Sequence, residues 1–498
     1  MIRGGFKRPN CSDSPGLVPS CKKTAKFTDV DCKQLCGFSA EDLLDAVSPR
    51  DAKLLQGDVS DVDVLLARWW RRRSRDGQTV QSSISTVISP RTRIRCISRS
   101  TEAKKFLAYC VIHLNSLLSE QDSENDFSTY CTLGGCLSRL GHYSEALEKI
   151  KKALEIRQEA KALWFCRLVE KQIKFDHDRE LRLSSTSLVS SKLPVPVPVE
   201  RRSVDDLSLQ EFFTSYASAH VPVIITGLVG HMTKIPWTID YVKLAIGSQV
   251  APLKRHVQDS AEWAKLEPAD TCTVEEFISS LTKEGETRYL FDWSLPLYAP
   301  ELAQELTIPK YFANDFLQRT GTDSMYYNSW PSLFIAPKDV FSAMHIDAFG
   351  SNFWMALFQG RKRWTFFSPE DTCCLYPRVD STMDPTFDID FTESNLADYP
   401  ALAFVTPREC ILCPGEILFV PAGCPHRVEN LEESLAISAN FVDSSNFELV
   451  QQELQINGLI DERAAELYEI LSNKQFNSQM DFTTSHLEWN KFKQKLTQ

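Results

Sequence analysis

The chain has 498 residues, a formal net charge of −11, and apolar and charged fractions of 43% and 24%. That length exceeds one ordinary core and the composition is that of folded domains, so two or three domains are expected and a wholly disordered chain is excluded. The acidic balance argues against a general binder of nucleic-acid backbone.

Residues 1–37 are poor in apolar periodicity and rich in Ser, Pro, Lys and Cys, which predicts a mobile arm. They lack an apolar signal core, and no apolar run in the chain reaches a membrane span, so an intracellular protein of the nucleus or cytoplasm is expected, with mostly reduced cysteines. Cys11, Cys21, Cys32 and Cys36 lack the C-x2-C spacing of a dependable zinc site.

From 38 to 180 the pattern is helical, starting after Ser39 as a cap. The basic run from Trp69 to Arg75 reads as the solvated end of an amphipathic helix rather than a nucleic-acid patch. Between Tyr130 and Ala153, the residues Tyr130, Leu133, Gly134, Leu137, Ala146, Ile150 and Ala153 fall on the spacing of a tetratricopeptide (TPR) repeat, with a turn at Gly141. One such unit needs cover from helices near 101–119 and 158–175; an ordinary helical hairpin is the competing reading. Either way the region is expected to dock a protein partner. Residues 181–199, Ser-rich and then alternating in proline, form the expected linker.

Residues 200–445 change texture to short strands. Candidates are Val221–Leu228, Tyr289–Asp292, Ser332–Ile335, Asn352–Phe358, Arg363–Phe367, Glu409–Cys413, Ile417–Val420 and Leu435–Val442. Many short strands between helical flanks predict a double-stranded β-helix, the cupin jelly roll, making the chain a multi-domain α plus β protein. Residues 446–498 return to helical periodicity and are expected to form an extension that could pair two chains.

Within the strand-rich part, His345-Ile346-Asp347 is a His-x-Asp on an extended segment, where residues two apart share a face. A third metal ligand is supplied by Gly415, five residues, then Pro421-x-Gly423-x-x-His426-x-x-x-Asn430, which matches the second cupin motif. Glycines and proline make the turns that deliver His426 beside the first strand. Two histidines and one carboxylate on one face of a metal is the arrangement of non-haem Fe(II) oxygenases.

Three segments then resemble the JmjC hydroxylases and demethylases, above all their bifunctional arginine demethylase and lysyl-hydroxylase subgroup. They are Met344–Gly350 running into Trp354, Gln359–Trp364, and Leu435–Phe441, with Tyr289–Asp292 as a shorter anchor. The resemblance implies Fe(II) held by His345, Asp347 and His426, with 2-oxoglutarate and O2 as co-substrates. It places Lys362 on the distal carboxylate of 2-oxoglutarate, with Ser438 and Tyr289 as hydroxyl partners. Asn440, two residues beyond Ser438 on the same strand face, completes that polar lining. Met355 departs from the family, which carries asparagine after the tryptophan.

The expected activity is hydroxylation of a protein side chain, lysine or arginine favoured. N-demethylation at the same site is the alternative, and an inactive helical-repeat and cupin scaffold is the reading from another class. An acidic insertion, Asp380–Asp390, is expected either to attract a basic substrate side chain or to be a solvated loop.

Overall fold

Apolar residues recurring at three and four positions, each run preceded by a polar cap, make the first part of the chain helical. Ser39, Ser89, Ser100 and Asp126 cap the helices Ala40–Ala46, Pro90–Ser98, Thr101–Leu118 and Phe127–Leu140, each accepting from the backbone N–H three residues on. The computed structural model describes residues 29–47, 51, 53–55, 61–75, 89–119, 126–185, 193–322, 324–380, 382–389, 396–473 and 484–495.

The hairpin at Tyr130–Ala153 is formed by Phe127–Leu140 and Tyr143–Ile156. Gly141 closes the first helix in the left-handed conformation, with φ of 91°, where side chains are strained. Gly134 permits the close approach, because a Cβ there would lie 2.7 Å from Ile150 Cγ1. Thr101–Leu118 and the long helix Ala160–Ser184 cover the hairpin, and Trp69, Phe106, Leu133, Ile150 and Leu168 share its core. The basic run ends helix Val62–Arg75 with Arg71 and Arg72 exposed, as solvation of a helix end requires. The arm expected over 1–37 is corrected at its end: Asp29–Cys36 is a helix, and Cys32 packs with Leu43 and Ala108. Cys11 and Cys21 lie outside the described residues.

Two sheets follow. The larger runs, in spatial order, Glu200–Ser203, Val223–Thr226, Glu416–Val420, Asn352–Gln359, Ser434–Phe441, Ser332–Ala336, Arg288–Ser294, Val250–His256 and Leu266–Thr273. The smaller runs Val197–Pro198, Arg408–Leu412, Lys362–Phe366, His426–Asn430 and Phe341–His345. Alternation along the strands sorts their side chains. Ile224, Phe334, Met355, Trp364, Leu418 and Ala436 meet inside, while Ile225, Leu333, Trp354, Ile417 and Ile437 face outward against Phe212, Trp237 and Phe312. This is the expected jelly roll between helical flanks. The sequence reading did not anticipate Val250–His256 or Leu266–Thr273.

The linker ends as a strand. Val197 N–H donates to Pro407 O at 2.8 Å and Val199 N–H to Glu409 O at 2.9 Å. Alternation with proline is tolerated because the missing N–H groups fall on the side without a partner strand. Residues 186–192 of the linker lie outside the described residues.

A bridge joins the two halves. The short strands Pro377–Arg378 and Thr386–Phe387 pair with each other. Val379 and Met383 enter the helical core, whereas Phe387 and Ile389 pack with Met344 and Phe367 of the sheets. At the other end, helices Phe447–Asn457 and Glu462–Ser472 bury Val450, Leu454, Leu467 and Leu471 against Phe316, Leu317 and Val442. These helices thus pack on the turn Phe316–Arg319 and on the end of strand Ser434–Phe441. Among the described residues no helix is long and apolar enough to cross a membrane.

Candidate metal centre and adjoining pocket

His345 is the last residue of strand Phe341–His345, and His426 the first of strand His426–Asn430; the sheet register pairs them directly. Gly415 and Gly423 hold φ of 91° and 75° in the turns before Glu416–Val420 and before His426, which explains the glycines of the motif. The strand expected through Asp347 stops at His345. Asp347 keeps extended dihedrals beyond it, with φ −65° and ψ 144°, so its side chain still shares the face of His345. One ligand atom from each of the three residues lies within 4.8 Å of the other two, and the residues are 4%, 8% and 2% exposed.

The surroundings prepare these groups as ligands. His345 Nδ1 lies 2.6 Å from Ala343 O and His426 Nδ1 lies 3.0 Å from Cys424 O, in each case a carbonyl two residues back. Donation from Nδ1 leaves the Nε2 lone pair of each ring for a metal. Burial lowers the proton affinity of both rings. It takes His426 to about 4, and the neighbouring His426 ring adds to the depression at His345. Both imidazoles are therefore neutral near pH 7, the state a metal needs. Burial raises Asp347 to about 7, reinforced by Asp292 and Asp384, and its buried Oδ2 has no hydrogen-bond partner. An orphaned carboxylate oxygen facing two neutral imidazoles fits a divalent first-row cation, whose charge would reverse that cost.

Lys362 and Tyr289 are brought together deeper in the barrel. Lys362 is fully buried; its Nζ donates to Asn430 Oδ1 at 2.6 Å and to Tyr289 Oη at 3.3 Å. Both of these partners are neutral, and burial lowers its proton affinity to about 7. Burial also raises the Tyr289 phenol. Such a cation, held by neutral partners, fits a buried carboxylate guest.

Ser438 and Asn440 are placed differently from each other. Ser438 is buried with an unpartnered Oγ, in register with Ser332 and Met355, and bonds to neither Lys362 nor Tyr289. Asn440 Nδ2 donates to Ser351 Oγ at 2.8 Å and lines the cavity beside His345. Met355 lines the same cavity, so the position where the family carries asparagine is apolar here.

Sequence reasoning gave Asn430 no role beyond its motif position. It accepts from Lys362 and from Ser434 Oγ at 2.8 Å, and donates to Val340 O at 2.6 Å. Trp263 was also missed. Its ring stands 4.2 Å from that of His345, and its Nε1–H donates to Ile346 O at 2.9 Å. It arrives from a distant turn with no local signature.

The cavity over these groups is about 260 Å³, walled by Trp263, Phe291, Trp330 and Phe349, with Lys254, Asp292 and Asp384 as further charged residues. The acidic insertion is not a solvated loop. Asp388 pairs with Arg95 and Arg99 of the helical half, and Asp380 lies 3.4 Å from Arg378 and 4.0 Å from Arg139. Asp390 lies outside the described residues.

Residues 209–447 match the cupin-like domain family. The chain is 30% identical over 238 residues to lysine-specific demethylase 8 of Danio rerio, covering 46% of this chain and 55% of that one. It is 33% identical over 177 residues to the 2-oxoglutarate and iron-dependent oxygenase JMJD4 of Mus musculus, covering 34% and 40%. It is 25% identical over 260 residues to the bifunctional arginine demethylase and lysyl-hydroxylase psr-1 of Caenorhabditis elegans, covering 51% and 63%. The chain spans about half the length of most of the curated relatives it matches.

Proposed function

We propose, from the premise that residues 209–447 are a cupin-like domain of the JmjC family, that this chain is an Fe(II)- and 2-oxoglutarate-dependent dioxygenase that hydroxylates a protein side chain, lysine or arginine. One observation carries the reading. Two neutral imidazoles and an unpartnered carboxylate oxygen converge within 4.8 Å on the wall of a cavity that is also lined by Tyr289, whose hydroxyl accepts from the fully buried Lys362.

His345, Asp347 and His426 would hold the iron, and Lys362 with Tyr289 would take the distal carboxylate of 2-oxoglutarate. Iron and 2-oxoglutarate, when bound, supply oxidation of an unactivated C–H bond by O2, with CO2 and succinate as co-products. The protein's own part is orientation. The carbonyls of Ala343 and Cys424 fix both rings, Asn430 holds the Lys362 ammonium, and Trp263 and Trp364 wall the site against water. Ser438 Oγ and Asn440 supply further polar groups for the co-substrate.

Attack on an N-methyl carbon would give a hemiaminal that sheds formaldehyde, so the same geometry serves demethylation, the activity in the names of several relatives. An inactive scaffold is disfavoured by the intact triad and the Lys362 site. The helical hairpin, read as a TPR-like unit, is a surface for the substrate protein. The test is conversion of 2-oxoglutarate to succinate by the iron-loaded chain, with mass spectrometry of proteins trapped by His345→Ala. A gain of one oxygen or loss of a methyl group in the wild-type reaction is expected. Iron binding with no turnover on any trapped protein would return the scaffold reading.

A further inference from the structure

Three carboxylates of the bridge between the halves have different surroundings. Asp388 is held by Arg95 and Arg99, and Asp380 by Arg378 and Arg139. Asp384 is partly buried, and its carboxylate takes part in no hydrogen bond or ion pair among the described residues. It lines the metal cavity and also a cleft of about 190 Å³ that runs beneath Arg91, Ile94 and Arg95 of the helical half. Arg91 and Lys171 are the cations whose charge reaches it, yet neither forms an ion pair with it, and Lys171 is engaged by Glu453 at 3.1 Å. Of the other two acids of the cavity wall, Asp347 belongs to the metal triad, and Asp292 already accepts from Trp330 Nε1 at 3.3 Å and faces Lys254.

An unpaired carboxylate in a cavity walled by the aromatic rings of Trp263, Phe291, Trp330 and Phe349 is a receptor for a cation, combining charge with ring faces. Burial and the nearby Glu453 raise Asp384 to about 6, a cost that a bound cation removes. The position of Asp384 depends on the helical half. Helix Pro90–Ser98 docks onto the sheets through Glu267, which accepts from Ser89 N–H at 3.0 Å and from the Thr92 hydroxyl. Arg95 donates to Ser260 O at 3.1 Å while pairing with Asp388, four residues beyond Asp384.

We propose that Asp384 is the specificity-determining residue that receives the cationic end of the substrate's lysine or arginine side chain, and that Arg95 is the positioning residue through which the helical half holds it over the metal. The inference rests on the oxygenase reading above, and it makes the helical half a wall of the reaction chamber rather than a tethered arm.

The test uses the full chain with Mn(II) in place of iron, titrated calorimetrically with Ser/Gly nonapeptides carrying a central arginine, lysine, citrulline or norleucine. Asp384→Asn is expected to weaken the preferred basic peptide roughly thirtyfold and to leave the uncharged peptides unchanged. Arg95→Met is expected to weaken the same peptide by a smaller factor, and Arg95→Lys to restore most of it. A wild-type chain with no preference for charge, or an Asp384→Asn chain that binds the basic peptides as wild type does, overturns the inference. A parallel titration with 2-oxoglutarate separates the two failures. A wild-type chain that binds no 2-oxoglutarate in the presence of Mn(II) removes the oxygenase reading itself, whatever the peptides do.

Discussion

The helical half and the barrel bury side chains for opposite ends. In the helical half, burial is apolar and dense: Trp69 stacks on Phe106 at 4.9 Å, and Gly134 and Gly135 leave no room for a Cβ against Ile150 and Val62. In the barrel, burial falls on His345, Asp347, Lys362, His426 and Ser438, groups that lose solvation without gaining full partners. The first arrangement yields stability directly. The second lowers stability and stores the difference as affinity for ligands that complete the unpaired groups.

Four substitutions sharpen this contrast. Asp347→Ala is expected to weaken divalent metal binding more than ~100-fold, read by calorimetry with Mn(II), while circular dichroism stays unchanged. Metal affinity within threefold of wild type would break the assignment of the triad. Lys362→Met should weaken 2-oxoglutarate at least about thirtyfold and at the same time raise the thermal midpoint of the metal-free chain, because it removes a buried unpaired cation. The sign follows from burial lowering Lys362 to about 7. The folded chain then holds fewer protons on this group than the unfolded chain from about pH 7 up to the ordinary lysine range, so stability from this residue rises with pH across that window. The methionine variant should lose that slope; a lower midpoint would contradict the account.

Smaller effects belong to packing and surface. Gly134→Val is expected to cost about 1–3 kcal/mol through overpacking against Ile150, measured by urea denaturation of the full chain, with metal affinity retained. Loss of metal binding in that variant would show that the halves are coupled more tightly than their separate cores indicate. Glu429→Gln, which breaks the exposed pair with Arg363 at 3.1 Å, should change stability by less than about 0.5 kcal/mol.

Legibility in the sequence followed the range of each interaction. His345, Asp347 and His426 could be read because local turns, not distant packing, aim them: Gly415, Gly423 and the two-residue spacing are all within a few positions. Lys362 was legible only by resemblance, since a charged turn after Gly360 has the same local pattern. Asn430 and Trp263 were not, because their partners lie 68 and 83 residues away. Strands Val250–His256 and Leu266–Thr273 escaped because each contains proline and charged residues and shows a half-exposed face at the sheet margin, which blunts the apolar alternation. Asp380 has a local partner in Arg378, but the pairing of Asp388 depends on guanidinium groups about 290 positions earlier, and no local rule separates Asp384 from Asp388.

The valine and proline strand at the end of the linker bears on how this chain can be divided. A fragment starting at residue 200 would discard Val197 and Val199 and so bare the backbone acceptors of Pro407 and Glu409 along the flank of Arg408–Leu412. A naked margin of that kind recruits a neighbouring molecule and seeds insoluble stacks. Fragments that begin ahead of Pro194 carry their own selvedge with them.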